Sequence, residues 1–355
     1  MTPSRGSAGR GAGNGTAGRS ARASSSRSAE SRESAALQSD VVRIATRGSE
    51  LALRQARMVQ HRLEAQGCVA ELVTFRTTGD RKLDEPLSAI GGKGLFTAEL
   101  ERALAAGKVD CCVHSLKDLP TEMPAELPVV AILEREDPRD VLVVNDTIVA
   151  EGIADLPRGS RVGTSSLRRR AQLLHLRADL DVVDLRGNVP TRLRKVDDGQ
   201  VHAAILAGAG LKRLDVQQRI DAWLDAPAWL PAAGQGAVAV QARADDTRMA
   251  ALLAPLDHAA TRAAVTAERA LLAALQGGCQ VPIGALVIES PTGGVLHAFV
   301  ADVRGTRMVR GELAVDAADP AASGARLAAE LLRRGGDEIL SELRALERVP
   351  SPQPE

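Results

Sequence analysis

The chain has 355 residues, enough for two or three domains, and its 45% hydrophobic content can supply real cores. Aromatic residues make up 1% and tyrosine is absent, so the cores must be built from Leu, Val, Ile and Ala, and the exposed rings on which single-stranded nucleic acid stacks are scarce. Formal net charge is zero; residues 1–40 hold six of the 45 basic and three of the 45 acidic residues, which leaves a slightly acidic 39 against 42 and argues against a general nucleic-acid binder.

Residues 1–40 are mainly Ser, Gly, Ala and Arg, a composition that cannot bury enough apolar surface to fold, and a flexible tail is expected there. The absence of acids before Glu30 resembles a transit peptide, which keeps an organelle address open. A cytoplasmic protein is the simpler reading, because the tail has no apolar region of the kind secretion requires. Cys68, Cys111, Cys112 and Cys279 show no zinc-binding spacing, so a reduced, intracellular protein without a metal site is expected. No stretch approaches the roughly 18 uninterrupted apolar residues of a membrane span.

From Val41 the pattern changes. A strand over 41–47 leads through Gly48-Ser49-Glu50 into a helix over 51–67, with Ser49 as N-cap and Leu53, Ala56, Val59 and Leu63 at helical spacing. Further strands are predicted over 69–78, 109–113 and 129–133, and a helix over 95–106. Residues 134–140, with Pro138, read as a hinge. Beyond it strands at 141–144, 161–163, 181–185 and 201–207 alternate with helices at 167–176 and 192–196, which predicts mostly parallel sheets. Residues 230–241 contain a Pro- and Gly-rich turn and then an apolar run from Ala237, as if the chain added a strand elsewhere. The chain ends on a helix over 262–275, strands over 285–288, 296–303 and 308–314, and one amphipathic helix over 324–346, a small antiparallel α+β arrangement.

The motif His114-Ser115-Leu116-Lys117-Asp118-Leu119-Pro120 sets a cation beside a carboxylate, between an apolar strand and a proline. In an open α/β sheet ligands bind at the carboxyl ends of strands, which makes Asp118 the candidate for the chemistry. Alone, these seven residues favour an ordinary solvated turn. Gly91-Gly92-Lys93-Gly94-Leu95-Phe96 opens a helix where backbone N–H groups and Lys93 could meet an anion. It is not a Walker A sequence, and by itself is equally a flexible turn. Gly163-Thr164-Ser165-Ser166-Leu167-Arg168-Arg169-Arg170 brings Ser166, a helix N-terminus and two or three arginines to one spot, and Arg186, Arg192 and Arg213 follow later strands. With Arg47 and Lys93 these cations are expected along a single rim, facing a ligand with many negative charges. Arg170 alone reads as solvated helix face, but Arg168, Arg169, Arg186 and Arg192 as a set require a compensating anion. Cys111 and Cys112 read as small core residues. Cys279 lies between paired glycines and a proline, where a thiolate can be exposed, although taken alone it still reads as structural.

In this order, over about residues 41–346, these motifs together with Arg43-Ile44-Ala45-Thr46-Arg47-Gly48-Ser49, Glu134-Arg135-Glu136-Asp137-Pro138-Arg139-Asp140, Leu185-Arg186-Gly187-Asn188 and Gly277-Gly278-Cys279-Gln280-Val281-Pro282 resemble the porphobilinogen deaminase (hydroxymethylbilane synthase) family of tetrapyrrole biosynthesis. The resemblance implies an α/β fold. Two doubly wound domains similar to periplasmic binding proteins would occupy 41–136 plus 237–255 and 139–231, with a small α+β C-terminal domain at 259–346 and a flexible tail at 347–355. It also implies a dipyrromethane cofactor joined through a thioether to Cys279. Onto this primer four porphobilinogen molecules are added head to tail with loss of ammonia, and water then releases linear hydroxymethylbilane. Asp118 would stabilise the cationic azafulvene left by ammonia and move protons. By the same resemblance Lys117, Ser166, Arg168, Arg169, Arg186 and Arg192 hold cofactor carboxylates, while Arg47, Ser49, Gln55, Lys93, Phe96 and Arg213 serve the incoming substrate and the growing chain. A monomer acting on a small molecule, without nucleic acid or membrane, is implied.

Two residues depart from the family's pattern: Ala89 stands where many members have lysine, and Pro190 where a small residue is common. Pro190 is compatible with a helix start at Arg192. The rival reading is a non-enzymatic protein whose two α/β domains close on a polycarboxylate small molecule; Cys279 in its motif counts against it.

Overall fold

The computed structural model describes residues 41–81, 97–276, 281–290 and 293–347. In chain order the first part contains β1 (Val41–Arg47), α1 (Glu50–Glu64), β2 (Val69–Phe75), α2 (Ala98–Ala105), β3 (Cys111–Ser115) and β4 (Val129–Ile132). The second contains β5 (Asp140–Val144), β6 (Arg161–Gly163), α3 (Leu167–Leu176), β7 (Asp181–Val183), α4 (Val189–Asp197), β8 (Ala203–Ala207), α5 (Gly208–Arg213) and β9 (Ala222–Leu224). Then come β10 (Val238–Gln241), α6 (Thr247–Leu253), α7 (Ala259–Ala274), β11 (Ile283–Ser290), β12 (Gly293–Ala301), β13 (Met308–Ala314), α8 (Pro320–Leu331) and α9 (Asp337–Glu347).

These strands form three sheets, ordered β2-β1-β3-β10-β4, β7-β6-β8-β5-β9 and β11-β12-β13. The first two share one plan. β1 runs parallel to β3, and β6 parallel to β7 and β8, but the fourth strand of each, β10 or β5, is antiparallel to both its neighbours. The expectation of mostly parallel sheets holds, with one exception per sheet that has a topological cause. A parallel neighbour needs a crossover connection, whereas β5 and β10 are each delivered directly by a segment crossing from the other sheet. The two crossing segments lie side by side, with Leu133 N–H donating to Val238 O at 3.0 Å and Glu136 N–H to Gly236 O at 3.2 Å. Gly236 has φ +87°, and a Cβ there would meet Glu136 O at 2.3 Å, so only glycine allows this approach.

Alternate residues of each strand enter different cores. Ile44 and Cys111 pack with Ala56, Val59 and Leu63 of α1 and Met249 and Leu253 of α6, while Ala45 and Cys112 pack with Leu100 and Leu104 of α2. Leu142 and Val144 face Leu173 of α3, and Val141 and Val143 face Leu193 and Val196 of α4. Both sheets are thus covered on both faces, the doubly wound arrangement expected. The third sheet is fully antiparallel, and α7, α8 and α9 cover one face of it through Leu271, Leu327, Leu331 and Leu340. No described helix is long and apolar enough to cross a membrane.

Several predicted boundaries move. β2 stops at Phe75, and one helical turn, Thr78–Arg81, replaces its expected end. β3 is shifted from 109–113 to Cys111–Ser115, because pairing with β10 runs on to Ser115 opposite Val238. The single helix expected over 324–346 is two, broken at a wide turn where Gly335 takes φ +105°. Ser49 caps α1 as expected, its Oγ accepting from Ala52 N–H. The helix expected over 192–196 instead begins at Val189, capped by Asn188 and with Pro190 in its first turn.

Candidate active site

The motif after β3 forms a short 3-10 turn, Leu116–Asp118. Leu116 is buried beneath it, and its N–H donates to Ala237 O at 3.0 Å. From α7, the Arg269 guanidinium donates to four carbonyls of this loop, those of Leu116, Leu119, Pro120 and Thr121, at 2.6–3.4 Å. The turn is thereby pinned with Lys117 and Asp118 half-buried. Lys117 Nζ donates to Gln235 Oε1 at 3.2 Å. Burial pushes the Lys117 ammonium down to about 8, and Arg169 and Arg168 add to the effect against the opposing pull of Asp118 and Asp140. The Asp118 carboxylate accepts no hydrogen bond from any described residue; it acts on Lys117 and Arg192 through charge.

Ser166 caps α3, accepting from Arg169 N–H, and the next turn sends two guanidiniums inward. Arg168 and Arg169 are 5% and 6% exposed and converge on Asp140, which is 0% exposed. Arg168 Nη1 lies 2.6 Å from Asp140 Oδ2, and Arg169 Nη2 lies 2.7 Å from Oδ1. Trp229 Nε1 and Gln235 Nε2 each donate to the same carboxylate at 2.8 Å. Burial alone would raise the Asp140 carboxyl, but the two arginines hold it well below the usual carboxylate range. Part of the anion that the helix N-terminus demanded is therefore internal, a partner the sequence reading did not identify. Arg170 is half-buried and donates to Val182 O at 2.7 Å, rather than forming a solvated face.

Arg186 and Gly187 follow β7, and Gly187 takes φ +115° where a Cβ would strike Thr191 at 2.7 Å. That bend lets Arg192 Nε donate back to Gly187 O at 2.8 Å. Burial lowers the Arg192 guanidinium to about 10, with Arg169 and Arg186 adding and Asp118 opposing. Lys117, Arg168, Arg169, Arg186 and Arg192 thus lie within one another's fields, with Asp118 and Asp140 as the carboxylates among them. Net positive charge held out of water is a site for a polyanion.

Gln55 is buried on α1 and exchanges hydrogen bonds with Ser115 Oγ at 2.9 and 3.1 Å, and Ser49 is half-buried at the helix start. Arg47 ends β1, and its charge is felt at buried His114, which burial, chiefly, and Arg47 push down to about 4. Arg213 ends α5 and reaches the crossing segments. Its Nη2 donates to Gly236 O at 2.6 Å, its buried Nε has no partner among the described residues, and its charged neighbour is Glu136. Ala89, Lys93, Phe96 and Cys279 lie outside the described residues.

Three further residues support the site. Asp140 was legible only as a carboxylate opening an apolar strand, Gln235 as a polar residue between two glycines, and Arg269 as one cation on an amphipathic helix. Arg135 joins the outgoing segment to the third domain, pairing with fully buried Glu268 through two bonds of 2.7 and 3.0 Å.

The description "Porphobilinogen deaminase, dipyromethane cofactor binding domain" matches residues 42–251, and "Porphobilinogen deaminase, C-terminal domain" matches residues 262–333. Proteins named porphobilinogen deaminase are similar over most of the chain. That of Syntrophotalea carbinolica is 47% identical over 89% of this chain and 99% of its own. Those of Roseiflexus castenholzii and Moorella thermoacetica are 49% and 50% identical, covering 84% and 86% of this chain and 98% and 97% of theirs. Among solved structures, the methionine-binding protein MetQ overlaps 61% of this chain and 89% of its own, at 14% identity and a TM-score of 0.40. The site motifs, both domain matches and relatives matched along nearly their whole length agree that the chain belongs to the porphobilinogen deaminase family.

Proposed function

We propose that the cluster around Asp118 is where this hydroxymethylbilane synthase holds its dipyrromethane and joins four porphobilinogen molecules, with loss of ammonia, before hydrolytic release of linear hydroxymethylbilane. The observation that carries this reading is the Asp118 carboxylate, half-buried among Lys117 and Arg192 and without a hydrogen-bond donor among the described residues. The residues present fit such a cofactor. Its acetates and propionates would offset the repulsion that Arg169 and Arg186 exert on Arg192 and that Arg169 and Arg168 exert on Lys117. When bound through Cys279, dipyrromethane supplies the primer on which the units are assembled.

In this reading Lys117, Ser166, Arg168, Arg169, Arg186 and Arg192 hold cofactor carboxylates, and Asp140 orients Arg168 and Arg169. Asp118 stabilises positive charge as ammonia leaves the incoming pyrrole, and exchanges protons with the pyrrole nitrogen and the departing amine. Arg47, Ser49, Gln55, Lys93, Phe96 and Arg213 receive the substrate and the lengthening chain; the unsatisfied Nε of Arg213 suits a carboxylate. The domains divide at 41–136 plus 237–255, 139–231 and 259–346, and the protein acts as a cytoplasmic monomer; residues 1–40 and 348–355, where tails were expected, lie outside the described residues.

The test is the intact mass of the freshly purified protein, then peptide mapping around Cys279. Added mass equal to a dipyrromethane on the Cys279 peptide is expected. An unmodified Cys279 that stays unmodified after incubation with porphobilinogen or preformed hydroxymethylbilane would overturn the reading in favour of a polycarboxylate-binding protein.

A further inference from the structure

Gln235 is 1% exposed and sits between two glycines of positive φ, Gly234 at +71° and Gly236 at +87°. Each of its polar groups is engaged. Its N–H donates to Ala232 O at 3.0 Å, and its carbonyl accepts from Arg135 Nε at 2.8 Å. Its side chain accepts from Lys117 Nζ through Oε1 at 3.2 Å and donates through Nε2 to Pro138 O at 2.7 Å and Asp140 Oδ1 at 2.8 Å. The amide can face only one way, because a flip would turn its NH2 toward an ammonium and its oxygen toward a carboxylate. One buried side chain therefore spans the loop after β3, the outgoing crossing segment and the first strand of the second sheet. Among the described residues Lys117 Nζ has no other hydrogen-bond acceptor.

We infer that Gln235 is a positioning residue for the reaction: its carbonyl fixes Lys117 Nζ beside Asp118, and its NH2 ties that position to Asp140, the carboxylate that orients Arg168 and Arg169. The inference rests on the reading of Lys117 as a holder of primer carboxylates. It makes the two sides of the site move as one, since displacement at the crossing segments reaches Lys117 and the arginine pair through the same amide. The charged groups that face Lys117 are Asp118, Asp140, Arg168 and Arg169.

The test compares wild-type holoenzyme with Gln235→Met and Gln235→Glu, reading thermal midpoint, dipyrromethane loading by intact mass, and KM for porphobilinogen against pH. Gln235→Met removes the acceptor of the ammonium, so Lys117 loses its proton more readily. The alkaline limb of the KM profile is expected to move down by about one pH unit, a tenfold change worth about 1.4 kcal/mol, and primer loading to fall. Gln235→Glu keeps an acceptor at the ammonium, and its limb is expected at or above that of the wild type. If both variants lower the thermal midpoint while their loading and alkaline limbs match the wild type, Gln235 is merely structural and the inference fails. Should Gln235→Met not fold, Gln235→Asn, whose amide is one methylene too short to bridge Lys117 and Asp140, takes its place: reduced loading with a lowered alkaline limb supports the inference, and wild-type loading with an unmoved limb overturns it. Wild-type protein that never acquires the primer would instead overturn the function reading on which the inference rests.

Discussion

Replacing Asp140 by Asn tests whether an internal carboxylate holds the cation cluster together. The side chain keeps its shape and loses its charge, leaving Arg168 and Arg169, 5% and 6% exposed, without a counter-ion. Either orientation of the new amide also turns an NH2 toward donors: toward Arg168 Nη1 and Trp229 Nε1 on one side, or toward Arg169 Nη2 and Gln235 Nε2 on the other. Breaking a buried pair in this way costs about 3–5 kcal/mol. With a urea slope of about 3 kcal/mol per molar, that moves the unfolding midpoint down by about 1–2 M. The assay is urea unfolding followed by circular dichroism, with Asp197→Asn as the comparison. Asp197 pairs with Arg219 at 2.6 Å at the surface, and its loss is expected to cost no more than about 1 kcal/mol. Equal shifts for the two variants would refute the reasoning and leave Arg168 and Arg169 compensated by something other than Asp140.

Asp118→Asn is expected to leave folding and dipyrromethane attachment intact and to lower turnover by several orders of magnitude; near-normal turnover in a loaded variant removes Asp118 from the mechanism. His114, pushed down to about 4 chiefly by burial, binds its proton in the unfolded chain near 6.5 but in the folded chain only near 4. Its contribution to stability is therefore complete above pH 6.5 and lost as pH falls toward 4, by about 3 kcal/mol. Acid unfolding of His114→Gln should show a correspondingly smaller loss across that window, and an unchanged curve rules His114 out. Gly236→Ala sets a Cβ 2.3 Å from Glu136 O at φ +87°, and should cost more than Gly159→Ala, where φ is +73° but nothing lies within 4 Å. The backbone conformation alone accounts for about 1–3 kcal/mol at either position. Equal thermal midpoints would show that the crossing segments separate freely.

Much of the site was legible because its signals are local. Lys117 and Asp118 follow a strand and precede a proline, Ser166 precedes a run of arginines, and Ser49 caps the helix that begins beside it. What was not legible lies in pairs far apart in the chain. Gln235 reaches back 118 positions to Lys117, and Arg269 reaches back 153 to Leu116. Asp140 meets Arg168 and Arg169 only once β5 lies antiparallel between β8 and β9, beside the start of α3. The arginine run suggested an external anion, and its first counter-ion proved internal, because burial makes an unpaired guanidinium costly and selects whatever carboxylate the topology brings near.

The sequence by itself determined the class of the elements, the order of the motifs and the kind of ligand they suit, since periodicity, caps and residue chemistry act over a few positions. Only the tertiary structure decided that β5 and β10 run against their neighbours, that the last helix breaks at Gly335, and that Asp140 and Gln235 stand behind the cations. Those outcomes depend on which distant segments share a sheet edge or a buried contact, and strand direction, burial and charge pairing are set there rather than along the chain.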